Sequence, residues 1–282
     1  MLDEVQWAVN THNKEDIKWL DEEILPRSPN YKRVAIGSDN DSQYGRIWEK
    51  LERGNLYIKI DDDVVCPHTF RIDLPGSLAD GIQVWLDDNA IPELVETRMK
   101  HPEAFLVSSN IINNPLLGWV HYRMGAVHPY WPELEPSPVP HTNEWRASSQ
   151  PSWSGPDGFS FGLEDPAPFD GHRWLRLAKT GNTAKLSLRD TPVGQIQYGA
   201  FGTGWSAWSI AAQEHASFFE NLENGQLDLY KTTSKMWDFS GDRLSINFMA
   251  VWGDDIIDNL PIDNDDEPAL TVDIPAKLHR CM

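Results

Sequence analysis

The stretch Leu56-Tyr-Ile-Lys-Ile-Asp-Asp-Asp-Val-Val65 places three adjacent carboxylates directly after an apolar segment. Leu56, Ile58 and Ile60 occur at every second position, and this period of two predicts a β-strand. In open α/β sheets, ligands bind beyond the carboxyl ends of the strands. The stretch therefore predicts a buried strand that delivers an acidic binding site to the edge of a sheet.

The segments before this strand predict a regular alternation of strands and helices. Residues 5–9 and 34–36 are rich in apolar and β-branched residues, which favours strands. Residues 13–24 begin with capping and acidic residues and carry an apolar stripe, and residues 44–51 form a second short helix. This order predicts the α/β class, with a Rossmann-like, mostly parallel sheet flanked by helices.

The remaining chain predicts further elements within one domain of 282 residues. Residues 88–99 and 205–222 have helical spacing, and residues 105–108 and 244–252 are predicted strands, the last because its apolar residues alternate. Residues 129–170 are rich in Pro and Trp and predict a long irregular loop region that covers a cleft. The helix at 205–222 is predicted because its residues recur near helical spacing, namely Trp208, Ala211, Ala212, His215, Phe218, Phe219 and Leu222.

The charge of the chain limits its partners. There are 43 Asp and Glu residues against 24 Lys and Arg residues, which gives a formal charge of −19. Such a field repels polyanions, so we expect no nucleic acid partner. A small nucleotide is still compatible, because a bound divalent cation reverses the local potential. No run of residues approaches the length of a membrane span.

The acidic triplet has the chemistry of a divalent-metal site. Three adjacent carboxylates repel one another, and a hard cation that prefers oxygen ligands relieves this repulsion. Alternate residues of an extended segment point the same way, so Asp61 and Asp63 can share one Mg²⁺ or Mn²⁺ while Asp62 points elsewhere. Substrate phosphates usually complete such a shell, which predicts a nucleotide diphosphate ligand. The alternative is a solvated acidic turn.

Several other sites are excluded by the sequence. No zinc spacing of the His-Glu-x-x-His type occurs, and no Gly-Lys-Ser/Thr phosphate loop or Gly-x-Ser-x-Gly segment is present. The segment from Asp39 fails as a calcium loop because its sixth and twelfth positions are Tyr44 and Lys50. His121 and His128 flank a short segment that could line a pocket, whereas His215 is expected to be a core or half-buried residue rather than a ligand.

The acidic motif also carries a resemblance. Tyr57-Ile-Lys-Ile-Asp-Asp-Asp-Val-Val65 resembles the Asp-x-Asp motif of GT-A-fold glycosyltransferases, and the chain resembles a group of fungal proteins of glycosyltransferase type. The supporting phrases are Val5-Gln-Trp-Ala-Val-Asn10, Tyr44-Gly-Arg-Ile-Trp48, Ala90-Ile-Pro-Glu-Leu-Val95, Gly118-Trp-Val-His-Tyr122, Gly125-Ala-Val-His-Pro-Tyr130, His172-Arg-Trp-Leu175, Ala211-Ala-Gln213, Glu220-Asn-Leu222, Asn247-Phe-Met-Ala-Val-Trp-Gly253, Asp265-Asp-Glu267 and Leu270-Thr-Val272.

This resemblance implies a metal-dependent transfer of a sugar from a nucleotide-sugar donor to a glycan or other hydroxyl acceptor. Asp61 and Asp63 would hold Mn²⁺ or Mg²⁺ and the donor diphosphate, and Asp62 would face the ribose. Lys59 completes the predicted cofactor-binding residues, where it pairs with the acidic side chains rather than with phosphate. Inversion or retention at the sugar is left open.

An inverting reaction needs a carboxylate that deprotonates the acceptor hydroxyl. The candidates implied by the resemblance are Asp255, which follows the strand at 244–252, and the later cluster Asp265, Asp266 and Glu267. We place the base in the later cluster, with Asp266 ahead of its neighbours. Helix capping by the same carboxylates is the alternative.

The resemblance also predicts departures from a complete enzyme. Residues 66–85 interrupt the expected junction and are interpreted as an insertion, and we expect the chain to be incomplete at both termini. Longer relatives would carry a membrane anchor of the secretory pathway and a late His that binds the metal. Two alternatives follow: a degenerate carbohydrate-binding protein, favoured by 13 Trp residues, and a metal-dependent phosphoesterase that uses the same carboxylates.

Overall fold

The computed structural model describes residues 2–36, 44–61, 89–112, 115–136, 146–178, 186–196, 207–231 and 245–280. The predicted insertion at 66–85 and the predicted ligands Asp62 and Asp63 lie outside these residues. The described elements are helices and small sheets, so the mixed α/β class is confirmed. No helix in these ranges combines the length and apolar character that a membrane crossing requires.

Seven strands occur in the described ranges. In chain order they are β1 (Val5–Val9), β2 (Tyr31–Ala35), β3 (Leu56–Ile60), β4 (Leu106–Ser108), β5 (Tyr130–Pro132), β6 (Trp174–Arg176) and β7 (Phe248–Trp252). They form three sheets: β1-β2, β3-β7-β4 and β5-β6. The first pair is parallel, with Val5 opposite Tyr31 and Val9 opposite Ala35, and the third pair is antiparallel. The described residues do not form one mostly parallel sheet.

The central strand of the three-stranded sheet runs against its neighbours. Gly253 N–H donates to the Asn55 carbonyl before β3 (2.9 Å), and Asp61 N–H donates to the Asn247 carbonyl beyond it (2.8 Å). As the residue number rises from Asn55 to Asp61 along β3, the number of the bonded partner falls from Gly253 to Asn247, so β3 and β7 are antiparallel. Ser109 N–H, just after β4, donates to the carbonyl of Phe248 at the start of β7. The carboxyl ends of β3 and β4 therefore lie at the same edge of the sheet.

Strand β7 is shorter and more buried than its alternating pattern predicts. Its first four residues, from Phe248 to Val251, are all buried, so both of its faces pack against protein. A central strand that is covered on both faces needs apolar residues at successive positions rather than alternate ones. The sequence Phe248-Met-Ala-Val-Trp252 meets that requirement.

Seven α-helical segments are described. They are α1 (Lys14–Trp19), α2 (Ala90–Lys100), α3 (Pro115–Met124), α4 (Trp208–Glu223), α5 (Gly253–Ile257), α6 (Asp266–Pro268) and α7 (Ile274–Leu278). Asn13 caps α1 by accepting the N–H of Glu15 (3.0 Å), as its position predicts. A π-helical turn, Ala269–Asp273, joins α6 to α7 without a break.

The chain divides into two compact units. The first unit comprises Met1–Ile58, Glu96–Val107 and Ala250–Met282, and the second comprises Lys59–Val95 and Ser108–Met249. The first unit contains the β1-β2 sheet and the helices α5 to α7. The second contains α3, α4 and the β5-β6 sheet.

Within the second unit, several of the residues whose spacing predicted α4 are not fully buried. Trp208, His215 and Phe219 are only half-buried, and Leu222 is 38% exposed. The fully buried positions include several polar residues: Ser209, Gln213, Glu214, Ser217 and Asn221. Four of these polar side chains, those of Gln213, Glu214, Ser217 and Asn221, are hydrogen-bonded to neighbouring segments.

In the region predicted as a loop at 129–170, the described residues 129–136 and 146–170 are largely irregular but contain part of a core. Strand β5 pairs with β6, and Trp153 forms a single bridge to Leu177. Trp131, Phe161 and Leu175 are buried in the same apolar cluster. This segment packs its aromatic residues inward, so the structure gives it a core-building role.

Candidate functional site

Asp61 belongs to the second unit and follows β3 directly, at an edge of the β3-β7-β4 sheet. The ammonium of Lys59 forms an ion pair with Asp61 and also donates to the Ile246 carbonyl (3.2 Å). The Lys59 side chain is 17% exposed and that of Asp61 is 32% exposed. This contact agrees with the prediction that Lys59 pairs with an acidic neighbour, and the bond to Ile246 holds the ammonium against β7.

Polar side chains from β4 and from the segment before β7 lie at the same edge. Ser108 Oγ donates to the Ser245 carbonyl (2.7 Å), and Ser245 Oγ donates to Asn247 Oδ1 (3.0 Å). Asn110 follows two residues after the end of β4. We call this group the polar edge, and it consists of Lys59, Asp61, Ser108, Asn110, Ser245 and Asn247.

The predicted metal site is only partly covered by the described residues. Of its two predicted ligands, Asp61 is described, whereas Asp63 lies outside the described ranges, as does Asp62. Within those ranges, no group of three or more His, Cys, Asp or Glu side chains could hold a metal ion. Asp61 supplies one carboxylate, a suitable donor for Mg²⁺ or Mn²⁺. The full ligand set therefore stays a prediction.

Asp255, one of the predicted catalytic residues, lies between two arginines of the first unit. Arg98 Nη2 donates to its Oδ2 (3.0 Å), and Arg280 Nη1 donates to its Oδ1 (2.5 Å). Arg98 is buried, and burial lowers the pKa of its guanidinium while Asp255 opposes that shift. A role for Asp255 as the general base would require the release of two ion pairs.

Arg280 connects Asp255 to the segment before β4. Its guanidinium also donates to the carbonyls of Pro102 and Ala104, both at 2.8 Å, and lies over the ring of Phe105. Arg98 donates to the His101 carbonyl (3.1 Å). The two arginines thus bind Asp255 and a turn of backbone together, which is the geometry of a structural ion-pair network.

The later acidic cluster begins a helix in the first unit. Asp265 precedes α6, and Asp266 and Glu267 are its first two residues. Trp48 Nε1 donates to Asp266 Oδ2 (3.0 Å), which fixes the orientation of this carboxylate. Asp265 is exposed, and Asp266 and Glu267 are half-buried. Because Asp61 belongs to the second unit, the predicted convergence of these groups on one cleft stays a prediction.

A buried polar pair joins α3 to α4, and the sequence singled out only its histidine. His121 Nδ1 lies 2.6 Å from Glu214 Oε1, and His121 Nε2 lies 2.6 Å from Asn110 Oδ1. Both His121 and Glu214 are buried. Of the two roles that the sequence left open for His121, the structure shows the structural one, because its ring is enclosed by protein and its two nitrogens are bonded to protein groups.

Burial determines the charge of this pair. It lowers the pKa of His121 to about 3 and raises the pKa of Glu214 well above its ordinary value. Both shifts have the same cause, since a charge loses its hydration when it is enclosed in protein. Each shift favours the uncharged form of its residue, so the pair is buried without a net charge.

His128 is also held by α4 rather than directed into a pocket. Its backbone N–H donates to Ser217 Oγ (2.9 Å), and its Nε2 lies 2.7 Å from Asn221 Oδ1. Gln213 Nε2 donates to the His128 carbonyl (2.8 Å), and Asn221 Nδ2 donates to the Ala126 carbonyl (2.7 Å). The spacing of four residues between Gln213, Ser217 and Asn221 is the sequence signal for this polar face.

Aromatic residues form a second feature of this unit. Trp208 makes edge-to-face contacts with Phe161, His172 and Trp174, at ring-centroid distances of 5.3 to 5.9 Å. Trp131, Trp153 and Phe159 form a similar group at 4.7 to 5.1 Å. Edge-to-face packing, which all of these pairs except the tilted Trp153–Phe159 pair adopt, is typical of an aromatic core. These Trp side chains therefore serve to pack the core of the second unit.

Comparisons with known proteins identify no relative of this chain. No family model, no curated protein and no solved structure matches the chain.

Proposed function

We propose that the chain is a divalent-metal-dependent glycosyltransferase of GT-A type, which moves a sugar from a nucleotide-sugar donor to a hydroxyl acceptor. The observation that carries this proposal is the position of Asp61 at the carboxyl end of β3, beside the end of β4. Ligands of α/β proteins bind at this edge of the sheet. The resemblance of the acidic motif supports the same reading.

In this proposal, Asp61 and Asp63 would bind Mn²⁺ or Mg²⁺, and the ion would offset the charge of the departing diphosphate. Lys59 orients the Asp61 carboxylate through its ion pair and is itself held by the Ile246 carbonyl. Asp266 would act as the base that takes the proton of the acceptor hydroxyl, with Trp48 fixing its carboxylate. Asp265 and Glu267 are the neighbouring candidates for this role.

Isothermal titration of the full chain with UDP-sugars and GDP-sugars, with and without Mn²⁺, tests the proposal. We expect binding that requires the metal, and we expect it to weaken at least about tenfold in Asp61→Asn and in Asp63→Ala because each variant removes an ionic ligand. Asp258→Asn is the matched control, because it removes the same charge from an exposed ion pair with Arg53. If no nucleotide binds in a metal-dependent way, the proposal fails.

A carbohydrate-binding protein that transfers nothing is the second candidate. It is favoured by the ion pair of Asp61 with Lys59, because this carboxylate already has a cationic partner. This candidate predicts that glycans change the tryptophan fluorescence equally in the wild type and in Asp63→Ala. Hydrolysis of the donor by the wild type alone would exclude it. Release of inorganic phosphate instead of nucleoside diphosphate would favour a phosphoesterase.

A further inference from the structure

The amide of Asn110 has one orientation in the structure. Its Nδ2 donates to the Tyr230 carbonyl at 2.7 Å, and a carbonyl can only accept. The other atom of the amide, Oδ1, therefore faces His121 Nε2 at 2.6 Å. Because Oδ1 has no hydrogen to give, His121 Nε2 must carry the proton of this bond.

The other nitrogen of His121 shares a proton with Glu214. The Nδ1 to Oε1 distance of 2.6 Å requires a hydrogen between the two atoms. Either Glu214 is protonated and donates to a neutral ring, or a charged ring donates to the carboxylate. Both arrangements hold one dissociable proton. The second oxygen of Glu214 has no hydrogen-bond partner in the described part of the chain, which disfavours a full negative charge there.

We propose that His121 and Glu214 hold a single buried proton and act as positioning residues for Asn110, and through it for the polar edge that carries Asp61. The chain of contacts runs from Glu214 on α4 to His121 on α3 and then to Asn110, just beyond β4. The step from Asn110 to catalysis rests on the proposed function, whereas the shared proton does not.

In the part of the chain that the structure describes, Tyr230 is the further titratable group in contact with the pair. The Tyr230 ring lies edge-on to His121 at 5.3 Å, and its hydroxyl is bonded to Asn221. Burial raises the pKa of Tyr230, so it stays neutral in the working range. On α4 itself, His215 follows Glu214, and burial lowers its pKa. From α3, Gly118 faces Glu214, where a Cβ would lie 3.3 Å from Oε2.

Proton counting gives the pair a distinctive dependence on pH. In the unfolded chain the carboxyl and the imidazole titrate near their ordinary values of 4.5 and 6.5. Between these pH values the unfolded chain also carries one proton on the two groups. The two groups therefore do not make the folding constant depend on pH in this range. Above pH 6.5 the unfolded chain carries none, and the folded state loses about tenfold in its equilibrium constant per pH unit.

Urea unfolding of the full chain between pH 7 and pH 9 tests the shared proton. Relative to Glu214→Gln, which cannot ionise but can still donate to Nδ1, the wild type should lose about a hundredfold in its folding constant across this window. Glu223→Gln is the matched control on the exposed side of α4, and it should follow the wild type. If the folding constants of the wild type and of Glu214→Gln change equally between pH 7 and pH 9, the proposal is overturned.

Nitrogen NMR of the His121 ring in the wild type gives a second measurement that needs no variant. We expect a protonated Nε2, a hydrogen-bonded Nδ1 and no titration between pH 5 and pH 8. A ring that titrates near its ordinary value of 6.5 would contradict the shared proton.

Metal-dependent nucleotide binding then tests the positioning role. Glu214→Gln should bind within about threefold of the wild type, whereas Glu214→Ala should bind at least about tenfold more weakly, because it leaves His121 Nδ1 unpaired. Equal binding by both variants would remove the positioning role. A wild type that binds no nucleotide would defeat the proposed function alone, since the unfolding and NMR measurements would still decide whether the proton is shared.

Discussion

Two acidic residues of this protein are enclosed in opposite ways. In the first unit, each carboxylate oxygen of Asp255 accepts a hydrogen bond from a guanidinium, one from Arg98 and one from Arg280. In the second unit, Glu214 faces a histidine that burial keeps from taking up a second proton. One site offsets the negative charge with cations, and the other removes it with a proton.

The difference decides how each site responds to its environment. An ion pair that is removed from water stays favourable only while both partners are present, because the remaining charge has nothing to replace its hydration. A protonated acid has a smaller hydration penalty, but it depends on pH. The Asp255 site should therefore be sensitive to substitution, and the Glu214 site should be sensitive to alkali.

The largest expected effect is the loss of Asp255. Asp255→Ala leaves the buried Arg98 without its carboxylate, and Arg98 Nε already has no hydrogen-bond partner in the described part of the chain. Breaking such a pair lowers the free energy of unfolding by about 3–5 kcal/mol. Urea unfolding followed by circular dichroism measures this loss.

Asp258→Ala is the control for this prediction. It also removes an aspartate from an ion pair, but its partner Arg53 is largely exposed, so the loss should be much smaller. If Asp255→Ala and Asp258→Ala unfold at the same urea concentration, the ion-pair network of Asp255 does not support the first unit. A stable Asp255→Asn variant without transferase activity would instead restore Asp255 as the base.

Gly118→Ala tests how closely α3 approaches the Glu214 site. A Cβ at this position would lie 2.7 Å from Ile210 Cγ2 and 3.3 Å from Glu214 Oε2, so the helices must move apart. We expect the free energy of unfolding to fall by about 1–3 kcal/mol, the usual cost of overpacking. Alanine is otherwise the better helix former, so any loss comes from the clash.

The control for Gly118 is Gly162→Ala, where a Cβ would lie 3.4 Å or more from its neighbours. Its stability should remain close to that of the wild type. A Gly118→Ala variant as stable as the wild type would show that α3 and α4 are not packed as closely as the structure has them, and the short bond between His121 and Glu214 would then lack support.

Local patterns predicted individual elements well. The strands at 5–9 and 56–60 were predicted with their observed bounds, because the alternation of side chains is a property of a few neighbouring residues. The end of β3 before Asp61 followed from the same pattern. The candidate site therefore rests on a strand that the sequence alone locates.

Partners that are distant in the chain could not be predicted in the same way. The antiparallel order β3-β7-β4 pairs Asp61 with Asn247, and a period of two says nothing about such a partner. The polar face of α4 was missed for a related reason. Glu214 is buried because His121, 93 residues away in the chain, lies opposite it. An apolar stripe cannot reveal this partner.

The smallest effect that we expect on stability concerns His215. Its response to acid should differ from that of the His121 and Glu214 pair. Burial lowers the pKa of this half-buried histidine below its ordinary value of 6.5, so the folded state resists taking up the proton that the unfolded chain binds. Its contribution to stability is complete above pH 6.5 and is lost as the pH falls. The His121 and Glu214 pair contributes no slope between pH 6.5 and 4.5, so the two sites can be distinguished there.

The folding constant of the wild type should therefore fall between pH 6.5 and 5.5, by at most about tenfold more than that of His215→Gln. His12→Gln is the control, because it removes a histidine from an exposed position and leaves the half-buried one in place. If His215→Gln keeps the full slope of the wild type, the histidine is hydrated in solution. Its burial would then contribute nothing to the response of the folded protein to acid.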